Sequence, residues 1–277
     1  MGTLYVVGTP IGNLEDFSPR GRRTLEEVDF IAAEDTRVTH KLLSHFGIKK
    51  PMISYYEHNT RQRREEILSR LEAGENCAVV TDAGMPCISD PGEDVVRQCR
   101  QRGIPVKVVP GPSAVVSALA VSGLDTTRFA FEGFLSVKKN SRREHLAEIR
   151  QDRHTLIFYE APHKLLATLE DLLEALGDRR ISVVRELTKI YEEVLLTTLE
   201  KAVEYYRANT PRGEFVLVVE GAPQPSAPES CTLEEAAALV RRLAEEGESL
   251  STAAKEVARQ TGYQKGELYR LAAREEA

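Results

Sequence analysis

"VVTDAGMPCISDPG", residues 79–92, couples the end of an apolar β-like run to a loop built from glycine, proline and aspartate. Cys77–Thr81 has the length and β-branching of a strand buried on both faces. Beyond the loop, Glu93–Arg102 falls at helical spacing. Strand, loop and helix in that order are the repeating unit of a parallel sheet. A loop that only connects needs no such composition. Glycine lets the backbone come close to a ligand, and proline fixes the loop's shape.

Outward from this unit the rhythm repeats. Leu4–Val7, Phe30–Ala33, Met52–Tyr55 and Val106–Val109 read as further strands, and Thr24–Val28, Val38–Phe46, Arg61–Leu71 and Ser113–Val121 as helices. The first half is therefore expected to be α/β with a largely parallel sheet and its loops gathered at the carboxyl ends of the strands. Two of those loops, "GTPIGN" (8–13) and "PGPSA" (110–114), repeat the chemistry of the first. "GTPIGN" is neither G-x-G-x-x-G nor a P-loop, so a ligand without pyrophosphate or triphosphate is expected. S-adenosylmethionine, a cationic nucleoside with an amino-acid tail, suits backbone groups combined with isolated carboxylates such as Asp82. Asp90, in S-D-P-G, reads as a turn former or helix cap.

After residue 124 the pattern changes to "FAFEGF", "TLIFYE", "ISVVREL", "EEVLLTTL" and "GEFVLVVE", with helices near Arg143–Arg150, His163–Leu176 and Leu199–Tyr206. This predicts a second α/β domain with antiparallel pairs. The proline-rich "GAPQPSAPES" follows as a linker, and then three short helical segments with Thr261-Gly262 before the last. The expected layout is 1–120, 121–221, a linker at 222–231, and a helix-turn-helix-like tail at 232–277.

Hydrophobic residues make up 42% and charged ones 29%, the balance of a globular protein with a real core. A net charge of −6 argues against binding nucleic acid through a general positive field. Local basic patches remain: Arg61/Arg63/Arg64, and Lys138/Lys139/Arg142/Arg143 in a stretch that reads as a basic loop. Tyr55, Tyr56 and His58 could stack on bases, though aromatics at a strand end more often pack in a core. Cys77, Cys87, Cys99 and Cys231 show no C-x-x-C spacing, and the six histidines form no metal-binding motif. Reduced thiols, a cytoplasmic location and no metal are expected.

"LYVVGTPIGNLED", "AEDTR", "VVTDAGMPCISDPG", "VPGPSA", "FEGFL", "LIFYEAPHK", "RELTK" and "GEFVLVVEG", in this order, give nearly the whole chain its resemblance to a known family. It resembles the bacterial ribosomal RNA small-subunit methyltransferase I family of the tetrapyrrole methylase superfamily. The resemblance implies two α/β domains with S-adenosylmethionine folded in the cleft between them, a helical C-terminal tail, and commonly a homodimer. It implies methylation of the ribose 2′-oxygen of a decoding-centre cytidine in 16S ribosomal RNA. The matching loops would offer Pro10, Asp82, Ala83, Gly84, Ile88, Ser113 and Ala114 to the cofactor, with Tyr159, Leu187 and Gly213 from the second domain. Asp35, Glu186 and Lys189 are the catalytic candidates, drawn from a set that also holds Glu34 and Glu160; internal ion pairs are the competing reading for the Glu34/Arg37 and Glu186/Lys189 pairs. Arg61, Arg63, Arg64, Lys138, Lys139, Arg142 and Arg143 would meet the RNA. Two alternatives stay open: methylation of a tetrapyrrole on the same fold, and a nonenzymatic RNA-binding or ribosome-assembly factor.

Overall fold

Five short strands of the first half, β1 (Leu4–Val7), β2 (Phe30–Ala33), β3 (Met52–Ser54), β4 (Cys77–Val80) and β5 (Val106–Val109), pair in the order β3-β2-β4-β1-β5, all parallel. The computed structural model describes residues 1–56, 60–223 and 231–274. The helices α1 (Pro19–Glu27), α2 (Thr36–His45), α3 (Thr60–Glu72) and α4 (Glu93–Gln101) cover the two faces of this sheet. One face buries Phe30, Tyr55, Ile67 and Val95, the other Leu25, Ile31, Leu43 and Val80. A strand enclosed on both sides has no solvated face to alternate toward, which is why β2 and β4 are apolar at every position.

The second half forms a mixed sheet from β6 (Phe129–Phe134), β7 (Thr155–Glu160), β8 (Arg180–Arg185), β9 (Glu193–Thr198) and β10 (Phe215–Val219), ordered β6-β7-β10-β8-β9. Only β6 and β7 run parallel. The helices α6 (Lys139–Glu148), α7 (Leu165–Leu176) and α8 (Leu199–Ala208) pack on one face around Phe158, Leu169, Leu172 and Leu217. The other face is covered by α5 (Ala114–Val121), which leaves the first sheet's β5 and inserts Val115, Ala118 and Leu119 against Ile157, Val184 and Val218.

This helix explains why residues 1–221, expected as two domains, form a single compact unit. The boundary drawn at 120/121 falls at the end of α5, a helix that follows one sheet in sequence and packs on the other. The segment expected as a basic loop is also different: Lys138 is the N-cap of α6 and Lys139–Arg143 its first turns. No proline or glycine interrupts residues 137–148, and Arg142 is drawn onto Asp171 of α7 at 2.5 Å.

Residues 222–277 form a second unit. Its helices α9 (Leu233–Glu245), α10 (Leu250–Thr261) and α11 (Lys265–Arg274) enclose Ala236, Val240, Ala253, Val257, Leu268 and Ala272. Thr232 and Glu235 close a reciprocal capping box at the start of α9, and Gly262 ends α10 at φ +76°. The anticipated linker lies mostly at 224–230, outside the described residues, as does His58.

Candidate active site

The three glycine and proline loops meet. Thr9 and Gly84 exchange two backbone hydrogen bonds of 2.9 and 3.2 Å, joining the loop after β1 to the loop after β4. The Thr9 hydroxyl also donates to the Thr81 carbonyl at 3.1 Å. Gly8 lies so close to Gly111, in the loop after β5, that a Cβ on Gly8 would sit 2.7 Å from the Gly111 Cα and from the Met85 Sδ. Within residues 84–92 the non-glycine residues Cys87 and Ser89 take φ of +71° and +61°. Each costs roughly 1–2 kcal/mol relative to ordinary backbone. Such strain persists only where the surrounding structure holds it.

These loops and the second sheet enclose a cleft of about 600 Å³. Of the residues expected at a cofactor, Asp82, Ala83, Gly84, Ile88, Ser113, Ala114, Tyr159 and Leu187 line it. Pro10 and Gly213 do not, for reasons that are visible locally. At the first loop the wall is made by the next residue, Ile11. Gly213, at φ +90°, lies under the Glu186 carboxyl group, 2.6 Å from where its own Cβ would be, so its glycine serves that contact.

The cleft's apolar wall is a row across the second sheet. Tyr159 of β7 is opposite Val216 of β10, which is opposite Val184 of β8. All three line the cavity. Phe131 and Phe134 set their rings edge-on to Tyr159 at 4.9 and 5.5 Å, and burial pushes the Tyr159 hydroxyl up to about 12. Val184 and Val216 were not singled out in the sequence, because which strand neighbours β7 is a matter of pairing and not of local composition.

The opposite wall is acidic. Glu34, at the end of β2, accepts hydrogen bonds from the Thr81 hydroxyl at 2.5 Å and from the Asp82 amide at 3.3 Å. Asp82 in turn accepts from the Asp35 amide at 3.1 Å. Burial, then the Glu34 charge, raises the Asp82 carboxyl above the usual range. Asp90 lines the same cleft and is raised further, to about 6, by burial first and then by Glu34 and Asp82. The expectation that Asp90 caps a helix is overturned. The N-cap of α4 is Gly92, with no side-chain bond, and Asp90 faces the cavity.

Asp35, Glu186 and Lys189 do not line the cleft. Asp35 caps α2 through the Arg37 amide and forms a two-pronged ion pair with the Arg37 side chain, which holds its carboxyl down to about 2. Arg37 thus pairs with Asp35, not with Glu34. Lys189 sits between Glu186 at 2.9 Å and Glu214 at 2.8 Å. This cluster, with Glu186 and Thr188 at φ +49° and +66°, pins the turn after β8 over Gly12. Glu160 reaches the cleft but is occupied by the Thr168 hydroxyl and the Ala161 amide.

Among the basic candidates, Arg63 pairs with Glu66, Arg64 with Asp94 and Glu65, Arg142 with Asp171 and Arg143 with Glu174. Lys138 and Lys139 are exposed and have no ion pair among the described residues. The side chain of Arg61 lies outside the described residues.

Residues 3–203 match the family described as Tetrapyrrole (Corrin/Porphyrin) Methylases, and residues 232–275 match the RsmI C-terminal HTH domain. A curated relative from Synechocystis sp., called ribosomal RNA small subunit methyltransferase I, is 48% identical over 100% of this chain and 99% of its own length. A relative of the same description from Thermotoga maritima is 48% identical over 221 residues, which is 80% of this chain but 99% of the relative. A solved structure of uroporphyrin-III C-methyl transferase from Thermus thermophilus, complexed with S-adenyl homocysteine, is similar in fold with a TM-score of 0.54 at 19% identity, covering 78% of this chain and 97% of that one.

Proposed function

The chain belongs to the tetrapyrrole methylase family and, within it, to ribosomal RNA small subunit methyltransferase I, and from that premise we propose that it uses S-adenosylmethionine to methylate the ribose 2′-oxygen of a decoding-centre cytidine in 16S ribosomal RNA. The observation that carries the site assignment is the cleft itself, which faces an apolar row, Tyr159–Val216–Val184, toward a wall of carboxylates. That donor set fits the cofactor. A flat adenosine suits the apolar row together with Ala114 and Leu187, and a cationic amino-acid end suits Asp82 beside Glu34. Ser113, at the N-terminus of α5, would add backbone donors.

The cofactor supplies an electrophilic methyl group whose departure leaves a neutral thioether. Positioning of the accepting oxygen is then the chain's main contribution to rate. The linked loops fix one side of the cleft, and α5, packed on the second sheet, fixes the other. The RNA is held at its phosphates by Lys138 and Lys139, which have no ion pair among the described residues, and Arg61, Arg63, Arg64, Arg142 and Arg143 add to that charge. The enzyme works in the cytoplasm as a homodimer. Exposed Val194 and Leu196 on edge strand β9, with Val116 and Val121 on α5, offer apolar surface for a second copy.

The test is transfer of radiolabelled methyl from S-adenosylmethionine to small ribosomal subunits lacking the modification, followed by digestion to locate the label. Label on one cytidine ribose is expected. Label on an added tetrapyrrole in its place would reassign the acceptor and keep the fold.

A further inference from the structure

We propose that Asp90 is the group that takes the proton from the ribose 2′-hydroxyl. This rests on the reading of the cleft as a ribose methylation site and adds the catalytic residue to it.

Five carboxylates line the cavity: Glu34, Asp82, Asp90, Glu160 and Glu214. Four of them are committed to structure. Glu34 holds the Thr81 hydroxyl and the Asp82 amide, and Asp82 holds the Asp35 amide. Glu160 is taken by Thr168 and Ala161, and Glu214 by Lys189. Among the described residues the one hydrogen-bonding partner near Asp90 is the Thr81 hydroxyl, and that group's single proton is already given to Glu34 at 2.5 Å. Among the described residues no lysine, arginine or histidine pairs with Asp90. It is therefore the cleft carboxylate whose oxygens are free to accept a proton from substrate.

Its surroundings tune it for that work. Among the described residues the charged groups acting on it are acidic, Glu34 from the end of β2 and Asp82 from its own loop, while His163, after β7, lines the same cleft. Cys87 on the same loop and Tyr159 from β7 also face it, and both stay neutral because burial raises them, to about 11 and about 12. Burial, and then the carboxylate neighbours, raise Asp90 to about 6 against a lowering contact from Thr81, close to the pH at which a base both exists ionised and holds a proton usefully. The strained backbone at Cys87 and Ser89, with Ser89 packed 3.4 Å from the Cβ position of Gly133 on β6, holds the loop across to the second sheet.

The step balances. The ribose oxygen forms its bond to the methyl carbon as the carbon–sulfur bond breaks with its electron pair going to sulfur. The hydroxyl proton passes to an Asp90 carboxylate oxygen and from there to water.

The experiment compares wild type, Asp90→Asn and Asp90→Glu in two readouts: S-adenosylmethionine affinity by calorimetry, and single-turnover methyl transfer to unmodified small subunits from pH 5 to pH 9. Asp90→Asn should bind cofactor within about threefold of wild type, lose about 10²–10⁴-fold in transfer rate, and lose the rise in rate around pH 6. Asp90→Glu should restore part of the rate and a shifted rise. An Asp90→Asn enzyme with the wild-type rate and pH profile overturns the proposal, as does one whose cofactor affinity falls by as much as its rate. Wild type that binds cofactor but labels no ribose would overturn the underlying reading as well, and is distinguishable because it needs no variant.

Discussion

At the scale of single residues, the loops leave no room for a methyl group where Gly8 meets Gly111. A Cβ on Gly111 would lie 2.8 Å from both the Cα and carbonyl carbon of Gly8, which are backbone atoms that cannot rotate away. Gly111→Ala should therefore cost about 1–3 kcal/mol of stability, as overpacking does, and weaken cofactor binding about tenfold or more. Thermal melting and calorimetry read the two effects. Asp90 gives a second expectation. Its carboxyl titrates near ~3.9 in an unfolded chain and at about 6 in the fold. Between those values the native state keeps a proton that the unfolded chain has released, so stability falls as pH rises from about 4 to about 6 and stays lower above. Asparagine does not titrate. The melting temperature of Asp90→Asn relative to wild type should thus be higher at pH 7.5 than at pH 4, and an equal difference at both would contradict the assigned shift. Asp82's place in the cleft was legible from loop chemistry, and Ser113's from the family resemblance. Asp90 was not, since S-D-P-G is also the signature of a helix cap, and only the approach of Glu34 from another strand distinguishes the two.

At the scale of elements, α5 has the most to answer for. Ala118 is fully buried where the helix packs on the second sheet, while Val116, two residues earlier, is 57% exposed. Ala118→Leu should lift α5 from β10, costing about 1–3 kcal/mol, and move Ser113 and Ala114 out of the cleft wall. Cofactor affinity should fall, whereas Val116→Ala should leave it unchanged; calorimetry on the pair separates the cases. The strands and helices of the first half were readable from apolar runs and helical spacing. What α5 packs against was not, because its sequence, apolar but for Ser117, marks no one face as the buried one and says nothing of what covers it. The start of α6 was misjudged for the opposite reason: four cations and a serine look like a loop until Asp171 and Glu174 on α7 supply partners for Arg142 and Arg143.

At the scale of the whole molecule, the chain divides at residue 221 into two units, each with its own core. A chain ending at Gly221 should stay folded and bind S-adenosylmethionine as the full chain does, with any loss confined to transfer onto ribosomal subunits. The 221-residue match that spans 99% of the Thermotoga maritima relative has the length of this first unit. Loss of cofactor binding on truncation, seen by calorimetry, would refute the separation. The appearance of antiparallel pairs after residue 124 was legible, and the shortest connection there, between β8 and β9, joins an antiparallel pair, while β6 and β7 remain parallel. The strand order was not. In the first sheet β1 pairs with β4 and β5 and with no strand next to it in sequence. That has a consequence during synthesis. Leu4 leaves the ribosome well before its partner Cys77, which follows only after the whole β2–β3 stretch has been made. At about 5–20 residues per second β1 waits roughly 4–15 s with its backbone unpaired, so the newborn chain is open to strand-hungry neighbours until β4 has been made.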